Sequence, residues 1–272
     1  MEKSFHGRTL ATLTATGQDK FHPECFAPYP EGFKTIKAND YEAIKTAFDD
    51  TTAAFFVECI QGEGGVNLLD PAWVQAASDA ARAAGAIVMA DEVQTGIART
   101  GKLLAVHHEN VQPDILILGK ALSGGAYPVS AVLANDSIMN VIKPGQHGST
   151  FGGNPIAAAV AIAALEVVTD ENLEDNETYL GDIFREKLDN YIQTSTIATL
   201  VRGKGLLNAV VINDTEESDT AWNICMALRD NGLLAKPTHG NIIRFAPTLV
   251  MNEEELLDCV SIIIKTLKQF EK

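Results

Sequence analysis

Basic residues are scarce in this chain. Its 272 residues hold 21 Lys and Arg against 36 Asp and Glu, a formal net charge of −15. That balance argues against a nucleic-acid or anionic-membrane binder, because such partners are held by clustered cations. Solubility is the plainer reading of the acidity. Cysteine is scarce too, with four residues at 25, 59, 225 and 259 and no C-x-x-C pair, which excludes a disulfide scaffold. Cys59, Cys225 and Cys259 lie in apolar runs and read as packed thiols of a reducing compartment. No run of apolar residues reaches the length of a membrane span, and "MEKSFHGRTL" does not read as a signal peptide. Internal repeats, low-complexity tracts and long linkers are also missing.

What is present is ordinary globular material, 46% hydrophobic and 21% charged, enough for one large core or two domains. Between Thr52 and Asn135 short apolar runs alternate with helical patterns. "AAFFVECI" (53–60), "AIVMADEV" (86–93), "DILILG" (114–119) and "VSAVLA" (129–134) read as strands covered on both faces. "DPAWVQAASDAARAAG" reads as a helix, with Asp70 as N-cap, Pro71 in the first turn and Gly85 just past the end. Strand–helix–strand order predicts an α/β fold with a mainly parallel sheet. "GGNPIAAAVAIAALEVV" (152–168) is apolar nearly all round and predicts a buried helix. Beyond it come a charged amphipathic helix, the strands "ATLVRGKGLLNAVVI" and "NIIRFAPTL" with the helix "DTAWNICMALRDNG" between them, and a closing amphipathic helix. This α+β pattern places a boundary near Thr169, giving domains 1–169 and 170–272.

Several motifs fail on inspection. Gly119-Lys120 suggests a phosphate loop, but Asp114 and Ala121 stand where Walker A needs Gly and Ser or Thr. "GEGG" and "GKGLLNA" do not complete a dinucleotide fingerprint. His107, His108 and His147 have no metal-ligand spacing, so no metal is expected. Lys120 taken alone reads as a solvated loop lysine. Asp91, however, closes another buried strand, and ligands of open α/β sheets bind outside the carboxyl ends of strands. An Asp91/Lys120 juxtaposition there is either a buried ion pair, which stabilises weakly, or a functional pair. Pyridoxal phosphate chemistry needs such a pair: a lysine amine for the aldehyde and a carboxylate for the pyridine nitrogen.

The flanking residues make the pair specific. "ADEVQTGIARTGKLLAVHHENVQPDILILGKALSGG" (90–125) closely resembles the signature of the class III, ornithine-type pyridoxal-phosphate aminotransferases. "SFHGRT", "ECIQGEGG", "PGQHGSTFGGNP", "RGKGLLNAVVI" and "LLAKPTHGNIIRFAPTLV" match in the expected order. The resemblance implies the large domain of the fold type I pyridoxal-phosphate transferases, here incomplete over 1–169, and a smaller C-terminal α+β domain over 170–272. It implies pyridoxal 5'-phosphate as cofactor, amino-acid and 2-oxo-acid substrates, and a homodimer with shared active sites. Lys120 matches the cofactor-bonding, proton-shuttling lysine and Asp91 the partner of the pyridine nitrogen. Gln94 matches the neighbour of the phenolic oxygen. Val93 and Phe5 match the residues on the two ring faces. Thr150, with Ser149, matches the segment reaching the phosphate of the neighbouring subunit's cofactor. Arg8 and Arg244 match the arginines that take substrate carboxylates, a task suited to a guanidinium fork. Glu63 matches the glutamate that pairs with Arg244.

Each assignment has a plainer alternative: surface arginines for Arg8 and Arg244, core for Phe5, a helix N-cap for Thr150, and a cap or ion-pair role for Glu92. The implied reaction moves the ω-amino group of ornithine to 2-oxoglutarate, giving glutamate 5-semialdehyde and glutamate. Acetylornithine or another ω-amino acid is the alternative substrate, and a catalytically dead module docking to a full-length homologue is the alternative of another class. Two departures from the pattern matter. Cys59 replaces a usual proline, and the family's phosphate-cradling loop has no counterpart before Phe5, which predicts a fragment or truncated product that binds cofactor weakly and is weakly active or inactive alone. The compartment expected is cytoplasmic, or the mitochondrial matrix if a transit segment precedes Met1.

Overall fold

The structure is a computed structural model, and it describes Met1–Glu271. Two compact units divide the chain. The first comprises Met1–Cys59, Leu69–Ile97 and Lys102–Asn172; the second comprises Ile60–Leu68, Ala98–Gly101 and Leu173–Lys272. The two short segments that join the second unit cannot be separated by a single cut of the chain.

In the first unit, β1 (Ala54–Val57), β2 (Ile87–Asp91), β3 (Ile115–Leu118) and β4 (Ala131–Ala134) form a sheet in that order. The first two pairings are parallel and β3–β4 is antiparallel, so the sheet is mainly parallel, as the alternating pattern predicts. Helix α1 (Pro71–Ala83) starts where its residues require. Asp70 accepts from the Ala72 amide at 3.1 Å, and Pro71 occupies the first turn, where no amide hydrogen is needed. Its buried residues Trp73, Val74, Ala77, Ser78 and Ala81 form one helical stripe. That stripe packs with Phe55, Val57, Val88 and Ala90 in the unit's core.

Helix α2 (Pro155–Asp170) departs from expectation. Its apolar sequence predicts burial, but only Ala157 and Val168 are buried, while Ile156 and Ile162 are 60% and 58% exposed. Among the described residues, no element covers that side. Its N-cap is Asn154, accepting from the Ala157 amide at 2.9 Å, and not Thr150. Pro155 in the first turn places the cap at residue 154.

In the second unit, α3 (Leu173–Ile192), α4 (Thr220–Asp230) and α5 (Glu253–Leu267) accompany an antiparallel sheet. Its strands are β5 (Ala198–Lys204), β6 (Leu207–Ile212), β7 (Lys236–His239) and β8 (Ile242–Phe245), in the order β5-β6-β8-β7. The pattern of apolar residues does not reveal β7, because Pro237 interrupts it. A proline is tolerated there because β7 is an edge strand. A capping box starts α5: Asn252 accepts from the Glu255 amide and Glu255 from the Asn252 amide, both at 3.0 Å. Leu180, Leu188, Ile212, Ile224, Ile243 and Ile263 lie in this unit's core.

That unit also buries an acid. Glu177 of α3 is wholly buried, and its Oε2 lies 3.9 Å from Arg99 Nη1. Arg99 Nη1 donates at 2.6 Å to the Pro247 carbonyl. Burial pushes the Glu177 carboxyl from 4.5 up to about 8, with Arg99 opposing the shift. The folded chain therefore keeps a proton that the unfolded chain gives up near pH 4.5. This contribution to stability is complete below that pH and is lost as pH rises through about 8. Glu177→Gln keeps the shape and removes the titration. Urea unfolding followed by circular dichroism should show the variant gaining on the parent chain between pH 5 and about 8.5; parallel pH profiles would refute the assignment.

Candidate functional site

The parallel pairing of β2 and β3 sets Asp91 opposite Ile117, and the Glu92 amide donates to the Ile117 carbonyl at 2.9 Å. Lys120 follows three residues later, so amine and carboxylate leave the carboxyl edge of the sheet from adjacent strands. Lys120 has φ +44, a left-handed conformation that costs a non-glycine residue energy and clusters at functional sites. Gly119 before it allows a close approach: a Cβ there would stand 3.3 Å from Val93 Cγ1. Lys120 and Ser149 line one cleft of about 480 Å³, with Ser123, Ser130, Phe151 and Asn154. Ser149 and Thr150 are exposed, and Ser149 Oγ accepts from the Gly152 amide at 3.0 Å.

Asp91 is buried, and both its oxygens are engaged. Oδ1 accepts from the Val93 amide at 3.1 Å, and Oδ2 lies 2.8 Å from His6 Nδ1. Val93 and Gln94 are half-buried beside it. Glu92 turns the other way, accepting from the Thr95 hydroxyl and, at 2.8 Å, from the Val106 amide. Burial raises its pKa, and these hydrogen bonds offset part of the rise. Glu92 thus tethers the loop between β2 and Val106 and, among the described residues, forms no ion pair there. Phe5 is anchored by its amide, which donates to Glu58 Oε1 at 2.7 Å. The Arg8 guanidinium lies over the Phe21 ring at 4.6 Å and the Phe5 ring at 5.5 Å.

His6 is a residue that motif reading passes over. Its ring stacks on Phe56 at 3.8 Å. The carboxylate at Nδ1 requires a proton there, which leaves Nε2 as the bare nitrogen, buried with no hydrogen-bond partner among the described residues. A second proton would place an unpaired N–H in that position, an expensive arrangement. Burial accordingly lowers the His6 pKa from 6.5, against the opposing hydrogen bond to Asp91. The link to Asp91 spans 85 residues, so neither local sequence advertises it.

In the second unit, Glu63 sits in the loop Gly62–Gly65. Arg202 clamps that loop, donating from Nε and Nη2 to the Gly65 carbonyl at 3.0 and 2.7 Å. Gly65 is required there: its φ is +109, and a Cβ would meet Ile242 Cδ1 at 2.8 Å. Glu63 Oε2 lies 3.3 Å from Arg244 Nη1 and 3.1 Å from Lys236 Nζ. The sequence-predicted Glu63–Arg244 contact therefore forms; Lys236 is an unforeseen third member. Within the first unit Asp91 and Lys120 leave adjacent strands at one sheet edge, Val93 lies beside Gly119, and Lys120 and Ser149 line one cleft. Among the described residues, no group of three His, Cys, Asp or Glu is placed to hold a metal ion.

The protonation of His6 can be read directly by NMR. Imidazole nitrogen shifts should show His6 neutral, with Nδ1 protonated, at pH 6.5. Because its folded pKa is lowered, stability should fall as pH drops below 6.5, and His6→Asn should flatten that slope. A charged His6 ring at pH 6.5 would overturn the assignment.

Comparison with known proteins bears on the whole chain. The aminotransferase class-III family model matches residues 1–267. Mitochondrial ornithine aminotransferase of Rattus norvegicus is 52% identical over 268 residues, covering 98% of this chain and 60% of that protein. The ornithine aminotransferase of Toxoplasma gondii superposes with a TM-score of 0.93 at 42% identity, covering 98% of this chain and 63% of that one; it was crystallised with partial occupancy of PLP at its active site. An acetylornithine aminotransferase from Elizabethkingia anophelis is 60% identical with a TM-score of 0.84, over 88% of this chain and 60% of its own. The chain thus spans about 60% of the length of the curated relatives it matches. On the family match and this coverage together, the chain belongs to the class-III aminotransferases.

Proposed function

We propose that this chain carries catalytic residues of a pyridoxal-phosphate-dependent transaminase that moves the ω-amino group of ornithine to 2-oxoglutarate, giving glutamate 5-semialdehyde and glutamate. The observation that carries this reading is the exit of Asp91 and Lys120 from adjacent parallel strands at one sheet edge. The residues present fit the cofactor's aldehyde and ring: a lysine amine on a cleft, a buried carboxylate already oriented by His6, and Val93 packed beside Gly119. When bound, pyridoxal phosphate supplies an aldehyde for the amine and an electron sink for the carbon that loses its proton.

The chain's own residues do the rest. Lys120 would hold the cofactor through its amine and would carry the proton at the reacting carbon. Asp91 would hold positive charge on the pyridine nitrogen, because an opposite charge favours the protonated ring. The His6 Nδ1–H donor fixes which way the Asp91 carboxylate faces. Val93 and Phe5 would cover the ring, Gln94 would lie at its phenolic oxygen, and Ser149 and Thr150 would serve the phosphate of a second subunit's cofactor. Arg8 takes the far carboxylate of ornithine, and Arg244 takes the α-carboxylate of 2-oxoglutarate once Glu63 releases it. The assembly we propose is a homodimer; the exposed Phe151, Ile156 and Ile162 beside the Ser149 segment support it. A reducing compartment, cytoplasm or mitochondrial matrix, suits the unpaired and buried Cys59 and Cys225.

A second substrate is favoured by one observation, the 60% identity to an acetylornithine aminotransferase. Comparing kcat/KM for ornithine and its α-N-acetyl derivative decides between them, and a preference for the acetylated compound would move the substrate assignment. For the chemistry, borohydride treatment with cofactor should fix the label on Lys120, read by peptide mass spectrometry. Asp91→Asn should keep some cofactor and lose turnover by about a hundredfold or more, the scale of removing one preorganised electrostatic partner. A label on another lysine, or near-normal turnover in Asp91→Asn, would refute the corresponding role.

A further inference from the structure

Glu63 faces two cations. Lys236 Nζ lies 3.1 Å from Oε2 and 3.4 Å from Oε1, while Arg244 Nη1 lies 3.3 Å from the same Oε2. The sheet explains the meeting: Lys236 on β7 and Arg244 on β8 are direct cross-strand partners. Like charges directly opposite each other destabilise a ladder, and the Glu63 carboxylate between them removes that repulsion. The three side chains differ in exposure. Glu63 and Arg244 are 15% and 16% exposed, whereas Lys236 is 58% exposed. The carboxylate is therefore flanked by a shielded guanidinium on one side and a wet ammonium on the other.

We infer that Lys236 is a specificity-determining residue: it is the cation that retains Glu63 when a substrate α-carboxylate takes Arg244. The inference rests on the aminotransferase reading above. A carboxylate displaced from Arg244 with no other partner would be left partly buried and unpaired, which is strongly unfavourable. With Lys236 already bonded to both oxygens, Glu63 gives up one cation and keeps the other. Its remaining lone pairs turn toward the solvated side. The loop need not move, since Arg202 clamps the Gly65 carbonyl; a change of Glu63 rotamer is enough. A lysine suits the task, because its compact ammonium has three rotatable donors on a flexible stem and follows a moving carboxylate. An ω-amine substrate, with no carboxylate beside its reacting carbon, leaves the Glu63–Arg244 pair closed and makes no call on Lys236. The residue thus bears on the 2-oxo-acid half of the reaction alone.

The test is the affinity of 2-oxoglutarate, measured by calorimetry on the cofactor-loaded full-length protein for the parent sequence, Lys236→Met, Glu63→Ala and the double variant. Glu63→Ala should tighten binding by unmasking Arg244. Lys236→Met should weaken it about two- to fivefold, the range of an exposed ion pair, and Lys236→Arg should restore most of the loss. In the Glu63→Ala background Lys236→Met should change nothing, because its effect passes through Glu63. The KM for ornithine should shift less in Lys236→Met than the affinity for 2-oxoglutarate. Equal weakening in both backgrounds would show that Lys236 attracts the anion directly and would overturn the inference; so would an unchanged affinity in Lys236→Met alone. If Glu63→Ala does not tighten binding, the Glu63–Arg244 switch itself fails, and this inference with it.

Discussion

Asp91 stands opposite Ile117 across β2 and β3, and the chemistry of the first unit depends on that register. Successive strand side chains point to opposite faces, so a slip of one residue would carry Asp91 to the wrong side and break its contact with His6. Burial holds the register: Val88 and Ala90 of β2 and Leu118 of β3 lie inside. Because the two strands are parallel, both end at the same edge, and a loop that leaves each one delivers its side chain there. An antiparallel pair would have sent Asp91 and Lys120 to opposite ends. The Glu92 amide continues the ladder to Ile117 while its carboxyl turns back to Val106, so the strand and the loop after it are fixed by consecutive groups of one residue.

Much of this was legible without coordinates, for identifiable reasons. Helix α1 announces itself through Asp70, Pro71 and a one-sided apolar stripe, all local signals. The strands β2 and β3 are apolar runs of the length and composition of buried strands, and the Lys120 and Asp91 motifs sit at their ends. Other features depend on distant partners. His6 acquires its role from Asp91, and Lys236 from Glu63, 173 residues away. The strand that carries Lys236 is hidden by Pro237, which only an edge position tolerates. Helix α2 misled in the other direction: an all-round apolar composition predicts burial, but burial needs something to lie against. Thr150 likewise resembled a cap until the Asn154–Pro155 pair took that role.

Buried ionisable groups in the two units show how surroundings decide what a charge can do. His6 and Asp91 are both enclosed. Burial lowers the imidazole's pKa and so favours its neutral form, in which a single donor meets a single acceptor. Such a pair fixes orientation and is poorly suited to motion.

The same contrast runs within the second unit, where two glutamate–arginine contacts behave differently. Glu177 is wholly enclosed and 3.9 Å from Arg99, too far for a hydrogen bond, and burial holds its carboxyl protonated at neutral pH. Releasing Glu177 from that position would require opening α3 from the core, because Leu180 and Phe184 of the same helix are packed there. Glu63 lies closer to its arginine, at 3.3 Å, in a loop outside that core, with one flank reaching the exposed Lys236. It is the better-bonded carboxylate and also the more easily moved one, since moving it exchanges one cation for another and leaves no charge unpaired. Contact distance alone would rank these two pairs the wrong way for mobility. What separates a fixed contact from a switchable one here is whether the carboxyl is locked in a packed core or has a second cation and water on its far side.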